Sequence, residues 1–220
     1  MDITSYLLGK NSSGGGGGGG SDLDWTAIGY SGTPQVIIDG YNYAKNIYDN
    51  WVPKGNMSSA FYNKTDLTYM PLIDTSIAYT MDNTFSGCNR LQSIPLLNTS
   101  NVTNMASMFL NCVGLTSIPL LDKKKVTNTS NMFSGCANLT SFPLLELPVV
   151  TGMNNMFTGC VKLTDNSLNN ILQICINATL YTGTKTLYTL GFRSNKYSVE
   201  RIQALSNYQA FIDAGWTIGY

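Results

Sequence analysis

The chain has 220 residues, 43% of them apolar and 12% charged, and its 13 basic and 13 acidic side chains cancel. That balance, with no Lys/Arg-rich block, lacks the electrostatic footprint by which a nucleic-acid backbone is held, and it argues against a purely charge-driven membrane contact. Histidine is absent, so the commonest general base, proton shuttle and neutral metal ligand is missing, and the 23 asparagines, with abundant Thr, Ser, Gly and Tyr, offer an uncharged hydrogen-bonding surface instead. The composition is that of a binder rather than a catalyst.

No stretch approaches the roughly eighteen consecutive apolar residues of a spanning helix, so no direct membrane insertion is expected. Residues 1–10 carry an acid at position 2 and an apolar patch too short for a signal-peptide core, which argues against Sec export. Gly14 to Gly20 is an unbroken glycine run within a tether spanning 11–22, since glycine loses the most backbone entropy on ordering. The segment it carries is either a plain terminus or a docking peptide in which Ile3, Tyr6, Leu7 and Leu8 fix the body to a larger assembly.

Residues 23–60 read as an N-terminal cap. Ser31-Gly32-Thr33-Pro34 is a turn, and Ile37, Tyr41, Ala44, Ile47, Tyr48 and Trp51 then recur at helical spacing despite Gly40. Asp39 and Asp49 lie there without a third ligand and read as solvated acids.

Between residues 61 and 164 the chain repeats. Phe61, Phe85, Phe109, Phe133 and Phe157 are spaced by 24, and Leu67 to Leu163, Pro71 to Pro143 and Cys88 to Cys160 form columns that keep step. A constant period in this range marks a solenoid, in which each repeat buries its apolar face only against its neighbours. Leu115-Thr116-Ser117-Ile118-Pro119 reads as a short strand ended by a residue that lacks a ladder donor. Met105, Met108, Phe109 and Cys112 are spaced as in a helical turn or two, with Thr103 or Asn104 as cap. Two residues after each Phe stand Asn63, Gly87, Asn111, Gly135 and Gly159, and interchange of only Asn and Gly predicts a positive φ. On that ground alone Gly135→Asn should cost less stability than Gly135→Ala.

The cysteine column reads as buried thiols in equivalent niches. The alternatives are adjacent-rung disulfides or a metal, though equivalent atoms repeating along a stack do not converge as tetrahedral zinc requires. Cys175 falls outside the column, and without His a Cys-His nucleophile is impossible. Residues 165–220 read as a C-terminal cap. Its expected elements are a helix through Leu168, Ile171, Leu172 and Cys175, a strand at 186–190, short helices capped by Ser198 or Ser206, a stop at Gly215 and a closing strand at 216–220.

Residues 102–115, Val-Thr-Asn-Met-Ala-Ser-Met-Phe-Leu-Asn-Cys-Val-Gly-Leu, resemble the BspA-like leucine-rich repeats, in their Met-Phe-rich branch of bacterial surface proteins. The likeness covers about residues 57 to 165. It implies attachment to host or partner molecules without catalysis, and the branch is also similar to repeat proteins carried by phages and prophages of gut bacteria. Thr129 in the column of Met105, and Ala78-Tyr79 in place of Val-Thr, are its departures. The expected fold is an α+β solenoid, a leucine-rich-repeat-like right-handed stack of about five rungs with a narrow parallel sheet and helical N- and C-terminal caps.

Columns that vary between rungs are free of packing duty. Thr75-Ser76-Ile77, Thr99-Ser100-Asn101, Lys123-Lys124-Lys125 and Leu147-Pro148-Val149 occupy one corner of successive rungs, either as a tolerant solvated loop or as a contact patch. The candidate ligand contacts are therefore Thr99, Ser100, Asn101, Lys123, Lys124 and Lys125. Triplets such as Asn98-Thr99-Ser100 read as products of composition rather than glycan acceptors. The expected function is binding of a host-surface glycan or protein by a virion-associated protein, or by a bacterial cell-surface adhesin, joined to its assembly through the N-terminus. No catalytic residue, metal or cofactor is expected.

Overall fold

The computed structural model describes residues 55–70, 75–121, 124–187, 190–192 and 197–218. Ile3, Tyr6, Leu7 and Leu8, the glycine run, the apolar stripe at 37–51 and Lys123 lie outside the described residues.

The five phenylalanines of the 24-residue period form a single file. Successive ring centroids lie 5.3, 5.5, 5.5 and 5.9 Å apart, with interplanar angles of 3°, 3°, 10° and 11°. None of the five is more than 1% exposed, and the leucine and cysteine columns are equally buried beside them. Phe142 closes the far end of this core by setting its ring edge-on to Phe133 and Phe157, at 5.1 and 5.0 Å. Such offset and edge contacts add to the large area each ring buries.

The side of the rung that carries the Phe is not helical. Met81, Asn83, Phe85 and Gly87 each donate their backbone N–H to the next rung, to the carbonyls of Asn104, Ala106, Met108 and Leu110. The intervening Thr84, Ser86 and Cys88 donate three residues back within their own rung. A helix would spend all of these donors internally and leave the rungs unjoined. Two files of positive φ make the alternation possible. One is the predicted file, with Asn63 at 57°, Gly87 at 79°, Asn111 at 61°, Gly135 at 80° and Gly159 at 79°. The other has no counterpart in the sequence-based expectations: Ser59, Asn83, Ser107, Asn131 and Asn155, at 54° to 59°. The apolar spacing that suggests a helix belongs instead to stacked turns, and Asn104 serves as an Asx turn, its Oδ1 accepting from the Ala106 N–H at 3.1 Å.

Packing between rungs adds a requirement to the one drawn from φ, and it bears on any side chain, Ala as much as Asn. A Cβ placed on Gly87 or Gly135 would run into Oδ1 of Asn63 or Asn111 from the preceding rung, whereas at Gly159 the nearest atoms belong to Gly135 at 3.5 Å. Asparagine therefore fits this column only after a glycine. Gly159→Asn is expected to change stability by less than about 1 kcal/mol. Gly135→Asn should cost about 1 kcal/mol more than that, and adding Asn111→Gly should recover the difference because the two sites share one space. Thermal melting of the three variants checks this; equal losses at 135 and 159 would contradict it.

The expected narrow sheet is reduced to isolated parallel bridges, and no continuous strand occurs among the described residues. One file runs Asn56, Thr80, Asn104, Asn128, Gly152, and a second holds the pairs Tyr69 with Ser93 and Ser117 with Ser141. In the second file Pro95 and Pro143 follow two residues beyond the bridging serines Ser93 and Ser141 and lack the N–H that a longer ladder needs. Asn56, placed in the cap by its position in the sequence, stacks as the first member of the rung file.

Among the described residues three helices follow the stack: α1 (Asp165–Asn177), α2 (Val199–Gln203) and α3 (Tyr208–Asp213). Thr164 caps α1 and the helix buries Leu168, Ile171, Leu172 and Cys175, as expected. Ser198 caps α2 by accepting from the Arg201 N–H. Ser206 does not cap α3; its hydroxyl is bonded to Asn169 Oδ1 at 3.2 Å, and Asn207 takes the N-cap position without a side-chain bond. Gly215, with φ 82°, ends α3. Of the two strands expected at 186–190 and 216–220, of which 188–189 and 219–220 lie outside the described residues, the described part holds one bridge, Thr186 with Thr217. The cap substitutes for a sixth rung, since the Phe157 N–H donates to the Leu190 carbonyl at 2.8 Å. Tyr197 fastens it: its hydroxyl accepts from the Leu163 N–H and donates to the Cys160 carbonyl, both at 2.8 Å.

Candidate functional site

The cysteine column has the geometry of a structural ladder. Sγ of Cys88, Cys112, Cys136 and Cys160 donates to the carbonyls of Phe61, Phe85, Phe109 and Phe133, at 3.0 to 3.2 Å. All five cysteines are free and buried. Burial pushes the Cys88 thiol up to about 11 and the Cys160 thiol to about 12, and it also raises Cys112, Cys136 and Cys175. A thiol so far from ionising is a poor nucleophile and a poor metal ligand at neutral pH. Among the described residues no group of three or more Cys, Asp or Glu side chains is placed to hold a metal ion.

The surface feature with the geometry of a site lies where the chain leaves the second bridge file. Rungs two to four there read Pro-Leu-Leu, and the extended backbone sends consecutive side chains to opposite faces. Leu97, Leu121 and Leu145 turn into the core, at 3% exposure or less, while Leu96, Leu120 and Leu144 stand 50%, 61% and 39% exposed. Together with Leu97 and Leu121 these three leucines line a groove of about 630 Å³ that runs across rungs two to four. Its polar margin consists of Asn98, Thr99, Ser100, Lys124 and Glu146. Asn98 is ordered locally, its Oδ1 accepting from the Ser100 N–H at 3.2 Å and the Ser100 hydroxyl at 2.8 Å.

The predicted contact residues divide here. Thr99, Ser100 and Lys124 line the groove, although Thr99 is only 1% exposed and contributes wall rather than reach. Asn101 and Lys125 are not among its lining residues. Lys125 Nζ donates to Asn101 Oδ1 one rung below at 2.8 Å, and Asn101 Nδ2 donates to the Ser76 carbonyl, so these two tie neighbouring rungs. Sequence reasoning missed Leu96, Leu120, Leu144, Asn98 and Glu146. The signal was the doubled leucine after Pro95, Pro119 and Pro143: two adjacent apolar residues in an extended segment cannot both be buried under one core.

A file of stacked rings, rung-to-rung backbone bonds and a helical C-terminal cap define a capped repeat solenoid, with a groove on one flank as its candidate contact surface. More particularly, the chain belongs to the family described as Mycoplasma protein of unknown function, DUF285, which matches residues 55–171. Among solved structures, the crystal structure of the T. pallidum leucine-rich repeat protein is 19% identical over 53% of this chain and 74% of that chain, with a TM-score of 0.28. No curated protein matches.

Proposed function

We propose that the chain is a non-catalytic binding protein that uses the leucine groove of rungs two to four to attach to a surface molecule of a host. The carrying observation is the row Leu96, Leu120 and Leu144, exposed at equivalent positions of three successive rungs. Single exposed leucines are ordinary, but a contiguous apolar row with a polar margin is the usual form of a contact site. Inert thiols and the absence of histidine favour binding over chemistry. The assembly it would serve is a phage particle, joined through residues 1–10 with Gly14 to Gly20 as spacer; the resemblance to bacterial surface repeats supports a cell-surface adhesin as the second reading.

The test is capture of the full chain on arrays of surface glycans and surface proteins. The triple variant Leu96→Ser, Leu120→Ser, Leu144→Ser is expected to lose about tenfold or more in apparent affinity, while its melting temperature stays near that of the parent because exposed positions contribute within about 0.5 kcal/mol each. Unchanged capture by the triple variant contradicts the groove as the binding face. Incorporation into particles, with and without residues 1–20, separates the two assemblies.

A further inference from the structure

Along the Phe-bearing turns the donors of each rung point forward, to the rung that follows. In rung one the N–H groups of Met57, Ser59, Phe61 and Asn63 go to the carbonyls of Thr80, Asp82, Thr84 and Ser86. The equivalent acceptors of rung one are the carbonyls of Asn56, Ser58, Ala60 and Tyr62, and none of them receives a hydrogen bond from another described residue. Rung one thus ends the stack in a row of aligned acceptors, the kind of open edge that another piece of chain can pair with. Its apolar end is nevertheless closed, since Met57, Phe61, Leu67 and Met70 are at most 1% exposed although no described rung precedes them. The undescribed stretches other than residues 1–54 are of four residues or fewer, and 1–54 runs directly into Gly55 at this edge.

One period upstream the sequence carries what that edge needs. Thr33, Gln35, Ile37 and Asp39 stand 24 residues before Met57, Ser59, Phe61 and Asn63, and each has a backbone N–H. Ile37 falls in the ring column, Tyr43 in the leucine column, and Asp39 in the file of Asn and Gly, whose left-handed backbone Asp also tolerates. Two departures match each other. In rungs one, three and four Asn56, Asn104 and Asn128 accept at Oδ1 from the N–H two residues on. Upstream the asparagine is replaced by Gly32, which offers no acceptor, and the residue two on is Pro34, which has no N–H to satisfy. The helical spacing of Ile37, Tyr41 and Ala44 is no obstacle, because the same spacing at Met105, Met108, Phe109 and Cys112 belongs to stacked turns.

We propose that the rung-one edge is the docking edge for residues 32–43 of this chain, which stack on it as a further rung. Thr33, Gln35, Ile37 and Asp39 donate to the carbonyls of Asn56, Ser58, Ala60 and Tyr62, and Ile37 covers Phe61. A helix over the same residues would spend those donors internally and leave the four carbonyls open. Paired in this way, the edge is guarded against a second copy, and the tether leaves the stack at its rung-one end.

The test is measurement of through-hydrogen-bond scalar couplings by nuclear magnetic resonance on the full 220-residue chain labelled with 15N and 13C. Couplings are expected from the amide nitrogens of Thr33, Gln35, Ile37 and Asp39 to the carbonyl carbons of Asn56, Ser58, Ala60 and Tyr62. The coupling from Phe85 to Met108, a bond the structure shows at 2.9 Å, is the internal control. Ile37→Pro removes the donor aimed at Ala60 and should abolish the other three couplings while the Phe85 coupling persists. Couplings of the i to i−4 kind across 33–51, or a visible Phe85 coupling with none reaching 56, 58, 60 and 62, overturn the proposal. So does survival of the other three couplings in Ile37→Pro. A mixture of chains labelled with 15N alone and 13C alone, unfolded and refolded together, should show none of these couplings; their appearance would mean that a second copy supplies the segment, and would overturn the assignment to the same chain.

Discussion

Replacing Phe109 by Ala is expected to remove about 3 to 5 kcal/mol of stability, the usual range for a fully buried ring. The ring is completely buried and lies midway in the file, 5.5 Å from Phe85 on one side and 5.5 Å from Phe133 on the other. In a stack whose rungs touch only their neighbours, stability is a sum of rung terms and interface terms. Truncation at rung three weakens two interfaces at once and leaves the outer rungs without a common core. Urea unfolding followed by tryptophan fluorescence and by far-ultraviolet circular dichroism should then give a lower midpoint, and the two probes should cease to coincide. Phe109→Leu keeps most of the apolar volume and should cost less than half as much. A loss below about 1 kcal/mol for Phe109→Ala would mean that the file does not carry the core.

The second large effect is alkaline. Burial raises the Cys88 thiol from an ordinary 9.0 to about 11 and the Cys160 thiol to about 12. Above pH 9 the unfolded chain releases thiol protons that the folded chain retains, so the unfolded state binds fewer protons and stability falls as pH rises. The contribution is therefore intact below pH 9 and lost progressively toward pH 11 to 12. A tenfold difference in proton affinity between the folded and unfolded chain corresponds to about 1.4 kcal/mol, so Cys88 alone accounts for roughly 3 kcal/mol across that window. Cys112 and Cys136 act in the same direction, each raised first by burial and then by the neighbouring thiols of the column, and buried Tyr197 adds to it. Stability from urea titrations at pH 8 to 11 should show a steep decline. Cys88→Ala should reduce the slope over this range even though it lowers stability at every pH, and an unaltered slope would contradict the assignment.

The repeating columns were legible because rung chemistry is strict: an aromatic ring every 24 residues can be buried in register only if the rungs pile along one axis. The positive φ file was legible for a similar reason, since only Asn and Gly adopt that backbone cheaply. The turns read as helix in the sequence because these tight turns bury Met105, Met108, Phe109 and Cys112, the same spacings of three, four and seven that one face of a helix shows. Whether a donor is spent inside its own rung or on the next one is not a property of any single rung. The second positive φ file, mixed Ser and Asn, was obscured because serine rarely takes that conformation and adopts it here only while its N–H bonds the following rung, as Ser107 does to Ser130.

The candidate site was half visible. Variation between rungs pointed to the corner containing Ser100 and Lys124, but Lys125 and Asn101 at the same corner bond each other. The exposed leucines stand in a column that hardly varies, so variation between rungs gives no hint of them.

By itself the amino-acid sequence determined the period, the buried file and the places where the backbone must turn left-handed, because these follow from local steric and burial preferences repeated at a fixed interval. The tertiary structure alone decided where the backbone donors go, which of two adjacent leucines faces solvent, and that Asn111 occupies the space over Gly135. Each of those outcomes depends on atoms one rung away, 24 residues distant in the chain, and no local preference encodes them.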